Sequence, residues 1–168
     1  LVYIDDVVKC FVDLLTTEKF EKGQYFYNIN RIFKITLGEL ARKIHQFKSI
    51  KETSIVPDYS DLLTKYLYAT YLSFLDKDDF SYVVERKTDN RGWLSELIKS
   101  NQSGQIFVSS SHPGIIRGNH YHNTKTEKFI VIKGTAIIRF RHIMSKEIIE
   151  YKVSGDKIEI VDIPPGYT

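Results

Sequence analysis

Two histidines one residue apart, His120 and His122, are followed five residues later by Glu127. An extended chain turns successive side chains to opposite faces, so the two imidazoles share one face and Tyr121 takes the other. The turn-prone stretch NTKT, residues 123–126, can reverse the chain and bring Glu127, at the head of the run EKFIVIKG, into the same interior. Two imidazoles and one carboxylate form a three-ligand set of the kind that holds catalytic zinc, iron, manganese or nickel, with a position left open for substrate. An H-x-H pair among five histidines is a weak signal by itself. The wider frame strengthens it, because Gly114 and Gly134 bracket the cluster and Lys133–Gly134 marks the next hairpin.

The elements that must position this cluster are read from periodicity. Leu1–Ile4 is a short apolar run suited to a buried strand, after which Asp5 or Asp6 caps a helix with Val7, Val8, Phe11, Leu14 and Leu15 on one face. The aspartate pair is read as capping, since a carboxylate at a helix N-terminus meets unpaired amides and a favourable dipole. GQYFYNI, residues 23–29, reads as a strand, and Thr36–Glu39 as a capping box. That box opens a helix that turns Leu37, Leu40, Ala41, Ile44 and Phe47 inward, with His45 on its flank. A third helix is predicted over residues 60–75, its tyrosines forming a packing face. From Phe80 onward, Val, Ile, Phe and Tyr alternate with polar residues between Gly and Ser clusters, the pattern of strands. A boundary near residues 76–79 then divides an α/β segment, 1–76, from a β-barrel or sandwich, 77–168.

Composition narrows the function classes. Hydrophobic residues make up 42% of the 168 and aromatics 13%, enough for one or two small cores. The 27% charged residues sum to only +3, with no basic block, so nucleic acid is a poor partner. No apolar run approaches the ~20 residues that cross a bilayer, and nothing resembles a secretory signal. The single Cys10 cannot form an internal disulfide; it reads as a small core residue in a reducing, cytoplasmic protein. The opening LVYIDDVV lacks a methionine and the chain stops after the turn VDIPPGYT, so it reads as an internal piece of a longer protein.

The frame G-x5-H-x-H-x4-E-x6-G, from Gly114 to Gly134, resembles the first signature motif of the cupin superfamily. The second cupin motif ends in P-x-G-x2-H, and Pro164, Pro165, Gly166, Tyr167 and Thr168 are similar to it up to the position before that histidine. The resemblance implies a metal, with zinc the expected ion, held by His120, His122, Glu127 and a histidine following Thr168, in a jelly-roll barrel that lacks its last strands here. DNRGWLSELIKS, residues 89–100, and GIIRGNHYHN, residues 114–123, resemble the paired RG elements of rhamnose-pathway nucleotide-sugar epimerases, which implies that Arg91, Glu96 and Arg117 face a nucleotide diphosphate sugar. Arginine suits a diphosphate through its planar two-donor fork. In those epimerases glutamine stands where this chain has His122, no metal is held, and the residue matching His120 is a general base. His120 is therefore either ligand or base, since a lone pair on a cation cannot also take a proton.

The leader LVYIDDVVKCFVDLL, followed by GQYFYNIN and ITLGELARKI, resembles the C-terminal part of extended short-chain dehydrogenase/reductases. A Rossmann-type reductase tail joined to an epimerase-like cupin is the arrangement of the bifunctional capsular polysaccharide enzymes of the UDP-N-acetyl-L-fucosamine pathway. That resemblance implies an α+β chain from an enzyme whose cupin inverts C3 of a UDP-4-keto-6-deoxy-HexNAc and whose reductase reduces the C4 ketone with NAD(P)H. It also implies a homodimer whose nicotinamide site lies upstream of Leu1. The alternatives are a non-catalytic sugar- or metal-binding cupin with a dimerising α/β segment, and a metal-dependent oxygenase. His142 is read as a plain strand position and His112 as a loop residue.

Overall fold

The computed structural model describes residues 1–17, 23 and 26–168. Among them three helices precede seven antiparallel strands, an α+β order, and the chain divides into two compact units, Leu1–Pro113 and Gly114–Thr168.

In the first unit α1 spans Ile4–Thr16, with Asp5 and Asp6 in its first turn and Tyr3 as an N-cap that makes no side-chain cap. The predicted strand over Leu1–Ile4 does not form, since Ile4 is already helical; Leu1 and Phe33 instead exchange both backbone hydrogen bonds, at 2.7 and 2.8 Å. Asp6 pairs with Arg31 at 3.3 Å, and Arg31 donates to the Tyr66 hydroxyl at 2.7 Å, while Tyr66 stacks on Tyr3 at 4.0 Å. Neither aspartate caps the helix as predicted; Asp6 instead spends one carboxylate oxygen on Arg31. The apolar stripe of α1 is present, yet Phe11 and Leu15 remain exposed, because periodicity makes a face and only a neighbour can cover it. The strand predicted over residues 23–29 lies partly outside the described residues, and Phe26–Ile29 carry no regular structure.

Helix α2, Leu37–Thr53, begins with the predicted capping box: Thr36 accepts from the Glu39 amide and the Glu39 carboxylate accepts from the Thr36 amide. Of the expected inward face, Phe47 is buried, as is Ile50 beyond it, whereas Leu37 and Ile44 are exposed. Helix α3, Leu62–Ser73, is shorter than the predicted 60–75. Its tyrosines pack as expected: Tyr68 meets Phe47 edge-on at 5.1 Å and Tyr71 lies 5.8 Å from the same ring.

Asp61 caps α3 by accepting from the Leu63 amide. The Thr64 hydroxyl, also donating to Asp61, holds its carboxyl below the usual carboxylate range, assisted by Lys43 at 3.0 Å. A depressed folded pKa means that the contribution is present above the unfolded value, about 3.9, and is lost as pH falls through the folded one. Asp61→Ala is therefore expected to cost about 1 kcal/mol near pH 7. Denaturant titrations of wild type and variant should converge as the pH is taken below about 3.9.

Among the described residues every strand follows residue 80, where the sequence pattern turns to alternation. Strands β1 (Lys87–Asp89), β2 (Gly92–Ser100) and β3 (Gly104–Ser111) form a sheet in that order, with a bulge between Glu96 and Ile98. Lys99 exchanges backbone bonds with Ser54 and Val56, tying this sheet to the end of α2.

The second unit contains two antiparallel ribbons: β4 (Glu127–Ile130) with β7 (Ile160–Ile163), and β5 (Thr135–Arg141) with β6 (Ile148–Ser154). Phe140 and Val153 of one ribbon and Val161 of the other form a single buried cluster. In register, Glu127 faces Ile163 and Phe129 faces Val161. Cross-strand partners project to the same side, so Glu127 points to the side on which Val161 is buried.

Candidate metal centre

The geometry at His120, His122 and Glu127 follows from local backbone. Gly118 and Asn119 both adopt left-handed conformations, with φ of 103° and 62°, so the chain kinks immediately before His120. Asparagine is one of the few side chains that tolerates this region, through local hydrogen bonding of its short amide. After the kink the imidazole centroids lie 5.2 Å apart at 67°, edge to face. One ligand atom from each of His120, His122 and Glu127 lies within 4.8 Å of the others. An ion with bonds of about 2.1 Å needs ligand atoms roughly 3.4 Å apart in a tetrahedral arrangement, a contraction that small side-chain rotations supply. His120 is exposed, while His122 and Glu127 are half-buried.

The His122 Nε2 atom is sealed from solvent and has no hydrogen-bond partner among the described residues. A buried imidazole nitrogen without a partner is costly, and a cation at the centre of the three groups would satisfy it. The residues present therefore fit a divalent ion. The turn at residues 164–166 lies against the irregular segment that carries the histidines, since the Gly166 amide donates to the His122 carbonyl at 3.2 Å.

The other sequence-predicted site residues are not part of this cluster. Arg91 sits in the β1–β2 turn, where its guanidinium donates twice to Asp89, at 2.9 and 2.5 Å, and that carboxylate makes it still harder to deprotonate. Glu96, on β2, is ion-paired with Lys99 and lies 3.8 Å from Lys87; the hydrogen bond from Lys99 holds its carboxyl below the usual range. Arg117 is exposed in the irregular segment before His120. His45 is an exposed helix residue, and His112 an exposed one whose amide donates to the Arg91 carbonyl at 3.0 Å. His142 spends its Nδ1 on the Met144 and Ser145 amides of the β5–β6 turn and packs edge-on to Tyr167 at 4.9 Å.

One neighbour of the cluster was not singled out in the sequence. Lys125 places its ammonium 2.6 Å from Glu127 Oε1. The signal was available: in an extended chain a lysine two residues before a carboxylate falls on the same face.

Residues 87–168 match the family of the polysaccharide biosynthesis C-terminal domain. Over its whole length the chain is similar to CapF in sequence and fold. It is 46% identical to capsular polysaccharide assembling protein CapF from Staphylococcus aureus, with a TM-score of 0.87 over all of this chain and 45% of that one. Against CapF crystallised with the inhibitor 3-isopropenyl-tropolone the identity is again 46%, with a TM-score of 0.89 over all of this chain and 48% of that one. The UDP-2-acetamido-2,6-beta-L-arabino-hexul-4-ose reductase of Pseudomonas aeruginosa is 40% identical over all 168 residues, which cover 45% of its length. The chain thus spans a little under half the length of these relatives. No helix among the described residues is long and apolar enough to cross a membrane.

Proposed function

We propose that this chain is the part of a bifunctional nucleotide-sugar enzyme that holds the metal-dependent C3 epimerase, built as a cupin over residues 77–168, preceded by the tail of an NAD(P)H-dependent reductase over residues 1–76. The substrate is a UDP-4-keto-6-deoxy-HexNAc bound for a capsular or surface polysaccharide, and the setting is cytoplasmic. The observation that carries the reading is the convergence of His120, His122 and Glu127, with a buried, unpartnered nitrogen on His122. Two relatives support it. The Pseudomonas enzyme is named for a UDP-linked hexul-4-ose, a sugar with its ketone at C4. The tropolone found with CapF presents two adjacent oxygens, the bidentate chemistry that divalent ions favour.

A divalent ion in this site, zinc being the expected one, would stabilise negative charge on the C4 oxygen, which acidifies the adjacent C3–H. The residues of the chain supply the rest. His120 and His122 would each offer an imidazole nitrogen and Glu127 a carboxylate oxygen, with the Gly118–Asn119 kink immediately before the pair. His120 acts as ligand and not as base, so the proton leaves C3 and returns to its opposite face through another group. Arg91, Glu96 and Arg117 are the residues that the epimerase resemblance assigns to the nucleotide diphosphate sugar.

The intact protein should contain one metal per chain and wash solvent deuterium into C3 of the 4-keto sugar without NADPH. Metal-replete protein that reduces the ketone yet exchanges no C3 proton would remove the epimerase reading.

A further inference from the structure

Lys125 and Glu127 form an ion pair of unequal partners. Glu127 is the first residue of β4, fixed in register against Ile163, and its side chain is 21% exposed. Lys125 lies in the irregular segment before the strand with its side chain 48% exposed. The backbone ladder, rather than a half-exposed ammonium, holds the strand residue in place. The ammonium does, however, sit where it neutralises the only anion of the three-ligand cluster, at 2.6 Å from Oε1. Any cation gripped by His120, His122 and Glu127 would meet a like charge a few ångströms away.

We propose that Lys125 is a displaceable counter-cation: it pairs with Glu127 and must yield to a metal ion held by the cluster, so that it lowers the affinity of the site and makes loading reversible. This rests on the metal reading of the cluster. Lys125 is a positioning residue for Glu127's charge rather than a ligand, since an ammonium has no lone pair to give.

The test is a titration of zinc alone, in competition with a chromophoric chelator, into the intact wild-type protein and its Lys125→Met and Lys125→Arg variants. Removing the charge is expected to tighten zinc binding on the order of ten-fold, the scale of one like-charge contact in a half-solvated site. Lys125→Arg, which keeps the charge, should match wild type, and high salt should narrow the gap between Met and wild type. Zinc affinity in Lys125→Met that is unchanged or weaker, with wild type binding normally, overturns the role of Lys125 alone. A wild-type protein that takes up no zinc overturns the metal reading with it.

Discussion

Replacing His122 by alanine is expected to weaken metal binding by more than about a hundred-fold, beyond the range seen when only outer-shell partners are lost. The reason is that His122 is the best-prepared of the three groups: its Nε2 is buried and unpartnered, so the cost of desolvating it is already met by the fold. In wild type, metal at a hundred times its dissociation constant should add about 2.7 kcal/mol of stability. That increment should vanish in the variant and should be read by thermal unfolding with and without zinc. His120→Ala should behave in the same way. Should His120→Ala keep its metal-dependent stabilisation and lose only C3 exchange, His120 would be the base, and the rhamnose-pathway pattern would be the better guide. Equal stabilisation of wild type and both variants by zinc would mean that the ion sits elsewhere.

The largest stability effect is expected at Gly92, in the RG element. Gly92 has φ +134°, and a Cβ on it would lie 2.0 Å from the Ser110 carbonyl oxygen and 2.9 Å from its carbon. These atoms belong to β3, whose Ser111 is the register partner of Gly92, so neither strand can retreat without breaking the ladder. Gly92→Ala should therefore cost about 4 kcal/mol, combining an unfavourable backbone region with a collision against main chain. Gly104 provides the control. Its φ is +90°, but a Cβ there meets nothing within 4 Å, so Gly104→Ala should cost only the left-handed penalty of about 1–2 kcal/mol. Urea unfolding of the intact protein separates the two, and equal costs would show that β3 can move away from Gly92.

The Gly92 result also bears on how motifs are read. The glycine beside Arg91 belongs to a sugar-binding pattern by resemblance, but its structural necessity is a close approach of two backbones. The same element illustrates where sequence reading ran out. The resemblance implies that Arg91 faces a diphosphate, and its spacing gives no sign that Asp89, two residues earlier, accepts from both its Nε and Nη2. Glu96 was read as a substrate contact and is flanked by Lys99 and Lys87, one along its own strand and one across the ladder. Such pairings depend on register and rotamer, which residue spacing does not encode.

Local chemistry was legible wherever a short segment carries its own reason to fold. The Thr36–Glu39 box and the change from helical to strand periodicity near residue 80 rest on residues within a turn or two of each other, and each is present among the described residues. The H-x-H spacing would put two imidazoles on one face in a regular strand, but residues 115–122 carry no regular structure, so the spacing alone did not place the pair. Tertiary structure decided the rest. Only the pairing of β4 with β7 turns Glu127 toward the buried side, and only packing determines that His122 loses solvent while His120 keeps it. Leu1–Ile4 had the composition of a strand and became a strand-like pair followed by a helix, since the partner that decides strand pairing lies some thirty residues away, at Phe33. Side-chain type and spacing set which groups can act; burial, register and long-range contacts set which of them meet, because those depend on parts of the chain that no local pattern contains.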